Sequence, residues 1–540
     1  MRIRTLLKRW PKDRYGLAAA IVFALVLIRF FVPYLDVNEP GKLLLARTLI
    51  DTSFLKHDWI ARLGTAGLDV ALLFSALVAP LWLLLKNALA VALTARLLLW
   101  CVLLYSLVKL AREIEVKWHW FALGLGLWIW SGQSMAAGEW IFGGAEQKCL
   151  AYAFLILSLT SLLRCQMLRA GIFCGIAIWF HALVGGWGAI ALTGALLVRF
   201  REYGRRRLLT FALATAILSL PLVCAALRYL APGGLTELSS QQGMDADSLI
   251  VLFRNPHHLD PYFFLTPAKL LAAALFMLCT FFVVPKALST AKARLLIAFL
   301  AVLAVVFGCG IAARQFGFFG FLKSYPFRGA DVLFPLVFWL VAPGFLIAQA
   351  RSLARRPVSH PVIPLWQALG TVLVVVLLVG KTSQALRVFP GSLANFTRSW
   401  LRYAAKAEDP FEEMTRWIRA HTPESAAFIA PPCEDRFWLA AERALVVNFK
   451  AAPHNAAILE WHRRITRLNR NRQFHSVGFG ICAELSQNFP ALDLEQLKAI
   501  RDAYAADYYL TTRRREDLAD RLVHMNAAYC LYHLSNRGGK

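Results

Sequence analysis

The sequence predicts an all-α polytopic membrane domain, about 11 apolar helices with one or two re-entrant or broken, followed by a small soluble α/β domain. Three observations carry that prediction. Of 540 residues, 58% are hydrophobic, and the mean hydropathy is +0.53, a membrane composition rather than a soluble one. Many apolar runs reach the ~20 residues that a spanning helix needs. After residue 380 the composition turns ordinary and alternates helix-like and strand-like segments. The expected division is therefore 1–380 for the membrane domain and 381–540 for an extracytoplasmic, periplasmic α/β domain.

The net charge of +26 is read as basic residues crowding the ends of spanning helices, where they set orientation and meet anionic head groups. It is not read as a nucleic-acid surface. Of ten cysteines, most sit in or beside apolar runs, where Cys acts as a small hydrophobe. Cys433, Cys482 and Cys530 lie in the tail and allow one disulfide at most. No Cys/His spacing suggests zinc, so no metal ligands are assigned.

The first span runs from about Tyr15 to Val32. The basic start MRIRTLLKRWPKDRYG precedes it with no small-residue cleavage site after it, which predicts an uncleaved signal anchor and a cytoplasmic N-terminus. Pro33–Trp59 then lies outside. Leu68–Leu85 and Ala88–Val108 are each long enough to cross. If only the second crosses, Lys109, Arg112, Lys117, Arg164 and Arg169 fall inside and Lys148 outside, as the positive-inside rule prefers. Leu68–Leu85 is then a juxtamembrane or re-entrant helix packed on protein.

Spans follow near 119–137 and 148–163. The run Ala170–Val198 has WFHALVGGWG at its middle and is read as two half-length helices meeting near His181. Arg199–Arg207 falls inside. Further spans are near 208–230, 268–285, 293–312, 331–350 and 362–380, with outer loops at 231–267 and 313–330. Inner connections carry Lys286, Lys292, Arg294, Arg351, Arg355 and Arg356. In the tail, FEEMTRWIRAHTP, ILEWHRRITRLNR and the LDLEQLKAIRDAY part of its segment read as helices. AAFIAPP, RALVVNFK and the following DYYLTT read as strands.

This topology brings several polar groups to one face. Asp36, Glu39, His57 and Asp58 come from the first loop. Glu139, Glu146 and Lys148 come from GEWIFGGAEQK, and His181 from the broken helix. Arg254, His257 and His258 come from RNPHH; Arg314, Lys323, Arg328 and Asp331 come from the last loop. Carboxylates can take a proton from a hydroxyl, and cations can hold a phosphate leaving group. Each has a plainer reading. Asp36 and Glu39 suit a first helical turn, Asp58 beside Trp59 an interface anchor, and His181 a satisfied core histidine. Glu146 with Lys148, and Arg328 with Asp331, suit local ion pairs. The basic run Trp461–Arg472 suits a solvated face.

NEPGKLLLARTLIDTSFLKHDW resembles the first outer loop of the GT-C integral-membrane glycosyltransferases. Those enzymes show D-E-x-x-Y, then A-R-x-M/L, then G-D-W; the matches are Glu39, Ala46, Arg47, Leu49, Asp58 and Trp59. The juxtamembrane helix, the basic turn Lys109–Lys117, the acidic second outer loop and the break at His181 are similar too. GGAEQKCLAY, FHALVGGW and NFKAAPHNAAILEWHRR resemble a bacterial branch of GT-C-like membrane proteins with an outer α/β tail. The resemblance implies a bacterial inner-membrane enzyme that uses a polyprenyl-phosphate-linked sugar as donor. It implies an acceptor-activating aspartate in the first loop and contact between 231–267 and the lipid phosphate. The family's usual aspartate falls on Asn38, so the role passes to Asp36 or Glu39, or is absent.

The resulting expectation is an inverting glycosyltransferase acting on a glycan, lipid or protein acceptor. Asp36 or Glu39 is the base. His57, Asp58, Glu139, Glu146, Lys148, His181, Arg254, His257, His258 and Arg328 bind substrate or phosphate. No cofactor is required, although a divalent cation bridging Glu146 and the phosphate is compatible. The alternative is a non-catalytic GT-C-like scaffold that holds lipid-linked sugar within an assembly or export complex. A transporter ranks last, because charges gather at span ends rather than along span middles.

Overall fold

A computed structural model describes residues 14–61, 72–230, 245–354, 364–406 and 409–534. The basic start, the connection bearing Arg355 and Arg356, and the first half of the expected 231–267 loop lie outside the described residues. Six described helices are long and apolar enough to cross a membrane: Ala88–Glu113, Phe200–Cys224, Pro267–Ala287, Thr290–Gln315, Arg328–Ala354 and Leu365–Ala404. Shorter apolar helices span Leu72–Leu85, Gln147–Leu163, Met167–Phe180 and Ala182–Val198. Arg14–Phe30 and Trp118–Trp130 complete the bundle.

Polar contacts distinguish the two ends of the bundle. At one end Glu113 meets Arg164 and Lys292, and the Tyr15 hydroxyl donates to the Val116 carbonyl. At the other end Arg96, near the start of its helix, donates to the carbonyls of Val32 and Tyr34. The helix Ala88–Glu113 therefore makes the crossing between the first loop and the Lys109–Lys117 turn. Leu72–Leu85 packs beside Glu39–Ile50 instead, with the Trp82 indole N–H donating to Leu43 O at 3.2 Å. The run 170–198 is broken at His181, which caps both Met167–Phe180 and Ala182–Val198. Gly185 lets the two helices close up: a Cβ there would lie 2.3 Å from Ile178 N.

Two boundaries differ from the sequence reading. The span expected over 119–137 ends at Trp130, and residues 131–146 form a buried non-helical loop. The span expected to stop at 380 continues as one helix to Ala404, so the tail begins after it. Both shifts have one cause: hydropathy reports the apolar stretch, whereas the helix ends where backbone hydrogen bonding ends.

The tail builds a five-stranded sheet in the order β2-β1-β3-β5-β4. The strands are β1 Ala427–Ile429, β2 Ala444–Leu445, β3 Tyr508–Thr511, β4 Leu522–Met525 and β5 Cys530–His533. β1 pairs in parallel with β2 and β3, while β5 runs antiparallel to β3 and β4. RALVVNFK contributes only the two residues of β2; the rest turns away toward the membrane domain. The helix Pro410–His421 starts at an Asp409 cap with Pro410 in its first turn and ends before Pro423. Leu494–Tyr504 opens with a capping box from Asp493 and Gln496. Cys433 and Cys482 form the one tail disulfide, and Cys530 is buried in β5 as a free thiol.

Two charged side chains fasten the tail to the membrane domain, and both correct the sequence reading. Asp58 is fully buried. It accepts from Ile60 N and Ala61 N, each at 2.9 Å, from the Trp438 indole at 2.7 Å and from Leu445 N at 2.9 Å. With its lone pairs filled by its own loop and the tail, it anchors the interface and does not bind substrate. Arg254 lies over the Phe449 ring at 4.1 Å and donates to Phe449 O at 3.1 Å and Lys450 O at 3.0 Å. It holds tail backbone rather than phosphate. Replacing Asp58 by Ala leaves the Trp438 and Leu445 donors buried and unpaired, at about 1–3 kcal/mol each. Limited proteolysis of the full-length Asp58→Ala protein should cut in 405–409 at least ten times faster than wild type, about 1.4 kcal/mol of undocking free energy.

Candidate active site

The first loop is organised by a pair that the sequence reading did not find. Arg96 is the single charged residue in the apolar run 88–108 and is 1% exposed, while Glu39 is fully buried. The guanidinium meets the carboxylate through both oxygens, at 2.7 and 2.6 Å. Glu39 also accepts from Ala145 N at 2.6 Å and Asp36 N at 2.7 Å. A carboxylate committed to four donors has no lone pair left for an acceptor hydroxyl. This corrects Glu39 from candidate base to structural partner. A lone arginine in a span is costly unless partnered, and that cost was the available signal.

Among the described residues Asp36 keeps a free position. Its Oδ1 accepts from Asn38 N at 3.0 Å, and its side chain lies against Gly144, where a Cβ would stand 2.8 Å from Asp36 Cβ. Glycine at 144 therefore admits Asp36 to the second loop. Burial raises the Asp36 carboxyl above the usual range. The Asn38 N–H lowers it, Glu39 raises it, and Arg96 and Lys148 lower it, without reversing that direction.

Beside Asp36, the second loop presents a compact ion cluster. Lys148 Nζ stands 3.1 Å from Glu139 Oε1 and 3.5 Å from Glu146 Oε2, over the Trp140 ring at 3.7 Å. Arg328 Nε donates to Glu139 Oε2 at 2.7 Å. Arg328 Nη1 lies 3.1 Å from His181 Nε2, and His181 Nδ1 accepts from Val184 N at 3.4 Å. Burial works against the Glu139 charge, but Arg328 and Lys148 hold its carboxyl down at about 2. His258 donates through Nδ1 to Ala137 O at 2.7 Å. Burial pushes His258 down to about 4, against the pull of Glu139, and His257 down to about 3. Both are neutral near pH 7. They do not supply the positive charge expected of them, and the one N–H of neutral His258 is already given to Ala137 O.

Non-helical backbone at this depth needs partners for every N–H. Asp331 supplies them: Ala136 N and Ala137 N donate to Oδ1 at 2.7 and 2.9 Å, and Glu139 N to Oδ2 at 3.0 Å. Asp331 thus holds the loop and does not pair with Arg328. The Gln133 amide does the same for Ile141, Phe142 N and Phe142 O. Arg314 pairs with Asp260 and Lys323 with Asp247, which fixes the 245–267 segment. His57 is exposed, and no contact brings it to the cluster among the described residues.

The candidate residues thus divide. Asp36, Glu139, Glu146, Lys148, His181, His258 and Arg328 come together, with His257 at the edge. Tyr325 joins them, its ring 4.1 Å from the Arg328 guanidinium. No group of three metal-ligating side chains occurs among the described residues, and the Lys148 ammonium stands between Glu139 and Glu146. Arg96→Met should unfold the first loop, at about 3–5 kcal/mol for a buried carboxylate left alone. Thermal melting of the detergent-purified protein checks this, with Asp36→Asn expected to melt as wild type does.

A family model described as a domain of unknown function (DUF6798) matches residues 409–468. No curated protein matches the chain by sequence. Among solved structures, the chain is similar to the Archaeoglobus fulgidus oligosaccharyltransferase tethered to an acceptor peptide. That TM-score is 0.50 at 12% identity, over 94% of this chain and 69% of that one. ArnT from Cupriavidus metallidurans bound to undecaprenyl phosphate gives 0.45 at 13% identity, over 98% of both chains. The mycobacterial arabinofuranosyltransferase AftD gives 0.48 at 12%, over 98% of this chain and 42% of that one. The protein is a multi-pass membrane protein with the GT-C fold of the Archaeoglobus oligosaccharyltransferase.

Proposed function

We propose that the protein is an inverting glycosyltransferase that moves a sugar from a polyprenyl-phosphate carrier to an acceptor hydroxyl at the outer face of the cytoplasmic membrane. The observation that carries this reading is Asp36. It is a carboxylate with an uncommitted oxygen, raised toward neutrality, beside fixed cations at one end of a GT-C bundle. Asp36 takes the proton of the acceptor O–H as that oxygen attacks the anomeric carbon. The bond from that carbon to the phosphate oxygen breaks, and the carrier phosphate leaves with the electron pair. Lys148 and Arg328 present donors that are already oriented, so little reorganisation accompanies the charge transfer.

The orientation rests on charge and sulfur chemistry. The end opposite the site carries Arg199, Arg201 and Arg205–Arg207, as cytoplasmic ends do. The tail disulfide suits an oxidising compartment. A maleimide that cannot cross membranes should label Val37→Cys in intact cells and reach Ser352→Cys only after permeabilisation. The reverse pattern would invert the assignment.

A binding-only scaffold is favoured by Asn38, which stands where the family carries aspartate. The two readings separate on one experiment: the lipid-linked sugar and surface-glycan profile, by mass spectrometry, of wild type, a deletion strain, and the deletion carrying Asp36→Asn. Loss of one sugar that Asp36→Asn fails to restore supports the transferase; restoration supports the scaffold. In vitro, Asp36→Asn should lower kcat at least ~100-fold. The acid limb of wild-type kcat should lie above the ordinary carboxylate range, because burial raises the pKa of the group that must be ionised.

A further inference from the structure

The charges at the site do not yet account for a bound phosphate. Glu39 offsets Arg96, while Glu139 and Glu146 offset Lys148 and Arg328. Asp36 must stay ionised to act as a base. These groups together leave no positive charge over for an anionic leaving group. Two further ammonium groups stand at the rim. Lys42 comes from the first turn of Glu39–Ile50 and lies within electrostatic reach of His181 and His454. Lys450 comes from the tail and lies within reach of Asp36, Glu146, Asp435, Arg254 and His257. Neither forms an ion pair among the described residues.

Lys450 is held in place by more than its own side chain. Arg254 grips its carbonyl and that of Phe449. Asn448 Oδ1 accepts from Lys450 N at 2.8 Å and Ala451 N at 3.2 Å, and the Trp461 indole donates to Asn448 O at 2.9 Å. The ammonium stands over the Phe479 ring at 4.6 Å. Four residues on, the exposed His454 turns its ring toward Tyr325, 6.1 Å between centroids. The backbone from Asn448 to Ala451 is thus held in place, and the segment that runs on to His454 forms a wall of the membrane site.

We propose that this wall is a working part of the site, in which Lys450 holds the phosphate of the lipid carrier. This rests on the transferase reading for its chemistry. The attacking oxygen, the anomeric carbon and the leaving oxygen lie in line, so the phosphate sits across the sugar from Asp36. A cation within reach of Asp36, mounted on a held backbone and in no ion pair among the described residues, is suited to that place.

The test is direct binding to the full-length protein in nanodiscs. The probes are undecaprenyl phosphate, undecaprenol, which lacks the anion, and inorganic phosphate, which lacks the lipid. Lys450→Met should weaken undecaprenyl phosphate about tenfold or more, as loss of a charge-assisted contact does, and leave undecaprenol unchanged. Lys450→Arg should restore the affinity. Burial, followed by Arg254, pushes the Lys450 ammonium down to about 8. Wild-type affinity should therefore fall as pH rises through about 8, whereas Lys450→Arg should hold. Competition by inorganic phosphate that Lys450→Met abolishes supports the same assignment. Unchanged binding of undecaprenyl phosphate to Lys450→Met overturns it. If Lys450→Met does not fold, the same alkaline loss in wild type and Lys450→Arg overturns it. Failure of the transferase reading is distinguishable: it shows as absent turnover in wild type, while the binding arms report on Lys450 alone.

Discussion

The site depends on the buried pair between Glu39 and Arg96. A guanidinium at membrane depth must spend its donors on protein, and this one serves Glu39 together with the carbonyls of Phe30, Val32 and Tyr34. Those contacts fix the path by which the chain leaves its first helix. Glu39 extends the same constraint to the second loop through Ala145 N and back to Asp36 N. The position of Asp36 against Gly144 follows from the pair. Replacing both partners with apolar residues would be compatible with a stable helix bundle, but it would leave Asp36 without a support.

A second constraint is the satisfaction of non-helical backbone. Residues 131–146 stay folded because Asp331 and Gln133 take up their N–H groups. The price of placing carboxylates there is limited by making the cluster neutral: two carboxylates face two cations, and burial keeps the neighbouring histidines uncharged. Such a site meets the reacting groups with dipoles and charges already aimed, where water would have to reorient.

The tail, with its five-stranded sheet, is part of this construction. Asp58 ties it to the first loop and Arg254 ties it to the loop before Pro267–Ala287. Between those fastenings the tail turns Lys450 and His454 to the rim. Both lie within residues 409–468, which match the domain of unknown function.

The sequence alone determined what depends on local composition and periodicity. Membrane class, the places of the long apolar helices, the break at His181 and the α/β character of the tail were all legible. So was the limit of one tail disulfide. Asp36, Glu139, Glu146, Lys148, His181, His258 and Arg328 could be listed because charges at span ends stand out against an apolar background. Tertiary structure decided which of them share a site. Glu39 and Arg96 are 57 residues apart, Asp58 and Leu445 are 387 apart, and Arg254 and Lys450 are 196 apart. No local pattern encodes such pairings. A buried charge takes whichever partner the packing of helices and tail brings within about 3 Å, and that proximity is a property of the whole fold.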